Sequence, residues 1–157
     1  MIIGGFDSDL NPYNDIQIVN LSNQTRTCNN IAEYPIAISG ATGAIVSGHP
    51  IICGGVYISK LEGSNYHSEC YLHSKANNTW TFLTNMSTKR SYSASVPVNG
   101  KLLVLGGWDG DNTSEYVSPD GDASQPGPDL LEPRDSHCAV KLANGQIMLL
   151  GGHPDKK

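Results

Sequence analysis

The sequence predicts an all-β protein assembled from repeated antiparallel units. Three observations carry that expectation. Adjacent glycines close four apolar runs, at Gly4-Gly5, Gly54-Gly55, Gly106-Gly107 and Gly151-Gly152, with separations of 50, 52 and 45 residues. Six residues before three of those pairs stands another glycine, in Ser47-Gly48, Asn99-Gly100 and Asn144-Gly145, where a tight turn between apolar runs needs positive φ. No window of helical length carries an apolar stripe at i, i+3, i+4 and i+7, while 17 Gly, 9 Pro and abundant Ser, Thr and Asn favour strands and turns.

The strands follow in order. MIIGG opens the chain as an apolar strand ending on a glycine pair, and DIQIVNL with TRTC reads as a hairpin behind it. GATGAIV and PIICGG form the next hairpin; a loop of variable polar residues leads from Gly55 to ECYLH, which turns through Lys75 to Asn78 into TWTFL. SASVPV and KLLVLGG repeat the first half of that pattern, SEYVS and the turn PDGD its second half, with a poorly defined last strand near Pro126 to Leu130. HCAVKL and QIMLLGG begin another unit. The near-continuous apolar character of the strand before each glycine pair implies cover on both faces. Four strands per repeat of about 45 to 50 residues is the pattern of a β-propeller blade. The expected division is a part-blade over 1–33, full blades over 34–86 and 87–131, the latter with divergent outer strands, and a part-blade over 132–157.

Composition narrows function. The net charge is −5 with no Lys/Arg run, so nothing offers a counterion-releasing surface for nucleic acid. Tyr34 to Ser59 lacks Asp, Glu, Lys and Arg, yet its five Gly, Pro35, Pro50 and His49 suit two short buried strands better than a membrane span. The start has no basic region and too short an apolar run for a signal peptide. There is no Gly-x-Ser-x-Gly elbow, phosphate-cradling glycine loop, HExxH or CxxC pattern, and the histidines at 49, 67, 73, 137 and 153 are scattered, as turn or surface residues would be. The turn Asp109-Gly110-Asp111-Asn112 offers oxygens for calcium but lacks a full EF-hand pattern, and a solvated turn explains it as well.

The apolar strand closed by a glycine pair, the aromatic in the third strand (Tyr116), Asn78-Thr79-Trp80 entering the fourth, and the arginine before the next unit (Arg90, Arg134) resemble kelch repeats over nearly the whole chain. The resemblance implies a propeller with an incomplete ring. Its missing blades belong to a longer chain or to a second copy forming the other half-ring. It also implies a non-catalytic module that holds a protein partner through loops on one face, with no cofactor. Carried onto this sequence, that face presents Arg90, Trp108, Asp109, Asp111, Arg134 and His137. Arg90 and Arg134 have a second reading, as residues that bond loop carbonyls or a neighbouring blade. The alternatives are a copper radical oxidase type of propeller, for which Tyr57, Tyr66, Cys70, His67 and His73 supply residue types without marked spacing, and a carbohydrate-binding propeller.

In such a blade Cys53 and Cys70 fall on neighbouring second and third strands, within reach of a disulfide or as two buried thiols. Cys28 and Cys138 have no evident mutual partner. Sequons stand at Asn20, Asn23, Asn77, Asn85 and Asn112. Bridge and sequons together point to an extracellular or secretory-pathway protein, with the cytoplasm as the alternative.

Overall fold

A computed structural model of the chain describes residues 1–19, 26–27, 31–60 and 63–154. Among these it forms strands and turns only. In order they are β1 (Ile2–Ile3), β2 (Ile16–Val19), β3 (Arg26–Thr27), β4 (Thr42–Val46), β5 (His49–Cys53), β6 (Val56–Ser59), β7 (Gly63–Tyr66), β8 (Glu69–Ser74), β9 (Thr79–Asn85), β10 (Ala94–Val98), β11 (Lys101–Leu105), β12 (Ser114–Val117), β13 (Gln125–Pro126), β14 (Arg134–Asp135), β15 (Cys138–Lys141), β16 (Ile147–Leu150) and β17 (His153–Pro154).

Two sheets are four-stranded antiparallel meanders, β4-β5-β8-β9 and β10-β11-β12-β13. A three-stranded sheet β1-β2-β3 precedes them and the hairpin β15-β16 follows. Two of the three predicted turns take the expected conformation, Ser47-Gly48 and Asn99-Gly100 having positive φ at both residues, which matches the twist of the strands they join; at Asn144-Gly145 only the glycine does. Sequons Asn20 and Asn23, and Cys28, lie outside the described residues.

The core sits between sheets. Val46, Ile51, Cys53, Cys70 and Met86 of one blade pack against Leu102, Val104 and Val117 of the next. On the far face of that second sheet, Val96, Leu103, Leu105 and Leu130 gather Ala139, Ile147 and Leu149 of the β15-β16 hairpin. All of Leu102 to Leu105 is therefore buried, as its unbroken apolar run predicts. Strands β5 and β8 are paired with Cys53 opposite Cys70, and the two form a disulfide, Cα atoms 4.1 Å apart.

The segment after Gly55, expected as a loop, is instead the hairpin β6-β7. Its first half, VYIS, alternates β-favouring side chains, and that short pattern is hard to see beside the polar residues that follow.

Candidate functional site: the loop face beyond the glycine pairs

The glycine pairs set the geometry of one face. In every pair both residues have positive φ, from +57° to +113°. The second glycine's N–H donates across to the carbonyl that enters the next blade: Gly5 to Ile38 (2.9 Å), Gly55 to Arg90 (2.8 Å) and Gly107 to Arg134 (2.9 Å). A Cβ on the first glycine would strike that same carbonyl oxygen, as at Gly106 against Arg134, 2.6 Å away. A second ladder runs two positions further on, where the Tyr92 N–H donates to Gly40 (2.7 Å) and the Ser136 N–H to Tyr92 (2.8 Å). Those three residues also share positive φ. Successive blades are thus joined by backbone hydrogen bonds, and the chain leaves each pair at a fixed point on the same face.

Three loops start there. The first spans Phe6 to Tyr13 and is folded about Asp7, whose carboxylate accepts from the N–H groups of Asp9 (2.8 Å) and Asn11 (2.9 Å) and from the Asn11 amide (3.0 Å). The bond from the Asn11 side chain leads the causes that hold the Asp7 carboxyl below its ordinary pKa. The second is the β6-β7 hairpin, which reaches back so that Lys60 Nζ lies 3.1 Å from Asp9. The third runs from Trp108 to Thr113. Trp108 forms a backbone bridge with Ser91 and is 46% exposed, and Asp109 and Asp111 take left-handed backbone angles in the turn behind it. Tyr66 stands near Asp109 and Tyr92; burial first, then those two neighbours, push its hydroxyl pKa up.

Arg90 lies beneath the third loop, only 1% exposed. Nη1 donates to the carbonyls of Gly106 (2.9 Å), Gly110 (3.2 Å) and Thr113 (3.0 Å); Nη2 to the Thr113 hydroxyl (2.6 Å) and Glu115 (3.0 Å); and Nε to Glu115 (3.1 Å). The fork thereby has every donor engaged inside the protein. Of its two sequence readings the bonding one describes Arg90: it positions the loop that carries Trp108 and Asp109, and burial removes it from an exposed ligand face. Glu115 completes the arrangement by accepting also from the N–H groups of Ser87 (2.6 Å) and Thr88 (3.3 Å) and the Ser124 hydroxyl (2.8 Å). Burial works to raise its pKa, but the hydrogen bonds, those from Ser87 and Ser124 foremost, outweigh it and hold the carboxyl below its usual range.

The other predicted face residues divide. Trp108, Asp109 and Asp111 lie together on the third loop. Arg134 occupies the position of Arg90 in the following unit, with Nη1 on the Gly151 carbonyl at 3.2 Å. His137 is not a surface residue: it is buried between Gly106 and Gly152, and neither ring nitrogen has a partner. Burial, reinforced by Arg134 and opposed by Asp135, pulls its pKa down. His73 is likewise buried, with its ring against Trp80. The oxidase residue types do not converge either, because Cys70 is consumed in the disulfide and His67 is engaged with Glu69 at 3.1 Å. Among the described residues no group of three His, Cys, Asp or Glu is placed to hold a metal ion. Sequence reasoning missed Phe6, Leu10 and Tyr13, which stand exposed on the first loop. Their position after the first glycine pair, equivalent to that of Trp108, is the signal that finds them.

Comparison with known proteins bears on this geometry. Residues 89–118, from Lys89 before the buried arginine to the end of β12, match the model of the Kelch motif. The fold is similar to the solved structure of YjhT, with a TM-score of 0.70 at 13% identity, covering 87% of this chain. The chain thus carries a Kelch motif in its β10–β12 repeat and shares the antiparallel all-β fold of that structure. It spans about half the length of that structure, 54%. No curated protein matches the sequence. Within the matched kelch repeat lie Arg90, the glycine pair, the Trp108 loop and Glu115, so the repeat comprises the exposed loop together with the buried pair that holds it.

Proposed function

We propose that this kelch propeller is a non-catalytic interaction module that holds a protein partner on the loop face beyond its glycine pairs. The observation that carries the reading is the set of exposed apolar and aromatic side chains there, Trp108, Phe6, Tyr13 and Leu10, interleaved with Asp7, Asp9, Asp109 and Asp111. Trp and Tyr bring large contact area at low entropic cost, and the carboxylates favour a partner that presents Lys or Arg beside its own apolar groups. Held rigidly by Arg90, the third loop loses little freedom on binding.

We place the protein in an oxidising compartment, on the strength of the Cys53–Cys70 disulfide and of Asn77 and Asn85, whose exposed side chains leave room for a glycan. Asn112 differs, because its amide donates to the Leu130 carbonyl at 3.2 Å and is unfit for that modification while so engaged.

The test is selection of peptides from a displayed library against the whole chain. Enriched sequences are expected to combine basic and aromatic residues, and Trp108→Ala to weaken their binding by more than about 2 kcal/mol, some 30-fold, with the unfolding midpoint unchanged. Binding indifferent to both Trp108→Ala and Phe6→Ala overturns the reading. Retention on polysaccharide that Trp108→Ala abolishes assigns the face to sugars, and copper-dependent oxidation of an alcohol assigns the chain to the oxidase class.

A further inference from the structure

β9 is the outer strand of a complete four-stranded blade, because the order β4-β5-β8-β9 leaves it paired with β8 alone. Blades of this architecture end in short, protected edges. This one has seven residues, about 23 Å of extended chain. From Ala76 to Thr88 the sequence holds no charged residue, no Pro and no Gly. Thr79, Thr81 and Phe82 are exposed, Phe82 by 49%. A bulge at Leu83, whose carbonyl Gly121 of the next blade approaches, interrupts the edge at one point; residues 79–82 before it pair regularly with 71–74 on one side only. An uncharged run of β-favouring side chains beside a row of unpaired backbone groups is a template for another strand.

The neighbouring blade supplies the comparison. Its outer strand, β13, has two residues, ends on Pro126 and is followed by Gly127, Pro128 and Asp129, with Asp120 and Asp122 in the turn before it. Proline and acidic side chains protect that edge, and no sequon stands beside it. β9 has neither proline nor charge, but it has a sequon at each end. Asn77-Asn78-Thr79 lies in the turn that enters the strand, and Asn85-Met86-Ser87 begins on its last residue. Both Asn77 and Asn85 are exposed. The intervening Asn78 is engaged instead: its Oδ1 accepts from the Ala32 N–H at 3.1 Å and lies 3.3 Å from His73 Nε2, which holds in place the turn that carries Asn77.

We infer that Asn77 and Asn85 carry N-linked glycans that cap the outer edge of β9 against strand pairing. The inference rests on the oxidising compartment proposed above and not on the loop-face reading. At each site the side-chain amide nitrogen joins the anomeric carbon of an oligosaccharide carried on a lipid diphosphate. An N–C bond forms, the C–O bond to the diphosphate breaks, the amide gives up one proton, and the lipid diphosphate leaves with the electron pair. The products are bulky, hydrated chains at both ends of the strand, where an incoming strand would have to lie. Asn112, whose amide is held by the Leu130 carbonyl, stays bare.

The whole chain secreted from cultured eukaryotic cells is the material for the test, with the occupancy of each sequon read by mass spectrometry. Asn77 and Asn85 are expected to be modified. Asn77→Gln with Asn85→Gln should leave the unfolding midpoint unchanged, tighten self-association in sedimentation about tenfold, and give concentration-dependent amide protection over residues 79–85. Thr79→Ala with Ser87→Ala, which removes both sequons and keeps both asparagines, should act alike. Adding Phe82→Lys to either pair should reverse the gain, since a charge on the edge restores the missing protection. Modified sites whose loss changes neither association nor β9 exchange overturn the inference, as does association whose protection appears at β16 and not at β9. Bare Asn77 and Asn85 in a secreted chain with the Cys53–Cys70 bridge formed overturn the inference alone. Free thiols at those two cysteines overturn the compartment reading and the inference with it.

Discussion

Arg90 and Glu115 show how a single buried pair ties fold to surface. Glu115 alone accepts from Arg90, Ser87, Thr88 and Ser124, joining the end of β9, the entry of β10, the third strand and the start of β13. The guanidinium in turn closes the loop behind Trp108. Removing one member strands the other in the interior, so Arg90→Met should cost about 3–5 kcal/mol in urea unfolding. The pair also fixes a pH dependence. The folded pKa of Glu115 lies below its ordinary value of 4.5, so its contribution is complete above that value and is lost as pH falls through the depressed one. The stability difference between the natural chain and Glu115→Gln should therefore shrink below about pH 4.5. A difference constant from pH 7 to pH 3 would show that the charge contributes nothing.

At the scale of the element, the glycine pair is both a backbone device and a packing device. Alanine at Gly106 faces two penalties, a left-handed φ of +57° and a Cβ driven against the Arg134 carbonyl. Gly106→Ala should destabilise by well over 1 kcal/mol, whereas Gly100→Ala, where a Cβ meets nothing, should show only the conformational term. Equal losses at the two sites, measured by thermal unfolding, would remove the packing half of this account. The pairs were legible in the sequence because strand, turn and glycine recur at a fixed period, and the blade pattern put Cys53 and Cys70 on neighbouring strands while leaving disulfide and buried thiols both open. What stayed illegible depends on partners distant in sequence. Arg90 carried two readings, ligand face or bonding to loop carbonyls, and only the carbonyls and Glu115 around it decide for the buried positioning role. His137 looked like a surface residue because nothing local indicates that the glycine pairs of two blades close over it. The β6-β7 hairpin escaped notice because four residues of alternation give too weak a signal.

For the whole molecule, the decisive contrast is between interior and terminal blades. Between sheets the apolar faces meet as in any core, but at the outer sides Ile2 and Val19 at one end, and Val140, Met148 and Leu150 at the other, stand exposed. Exposed runs of this kind on an unpaired edge invite association, and the edge of β16 adds free backbone donors to the apolar face. The face and the edge are separable. Val140→Thr with Met148→Lys alters only the exposed face, since Ala139, Ile147 and Leu149 point into the core on the other side. The double variant should unfold within about 0.5 kcal/mol of the natural chain, because both side chains lie on the exposed outer face and outside the core clusters. It should also self-associate less in sedimentation at the same concentration. If association is unaltered, the edge rather than the face drives it.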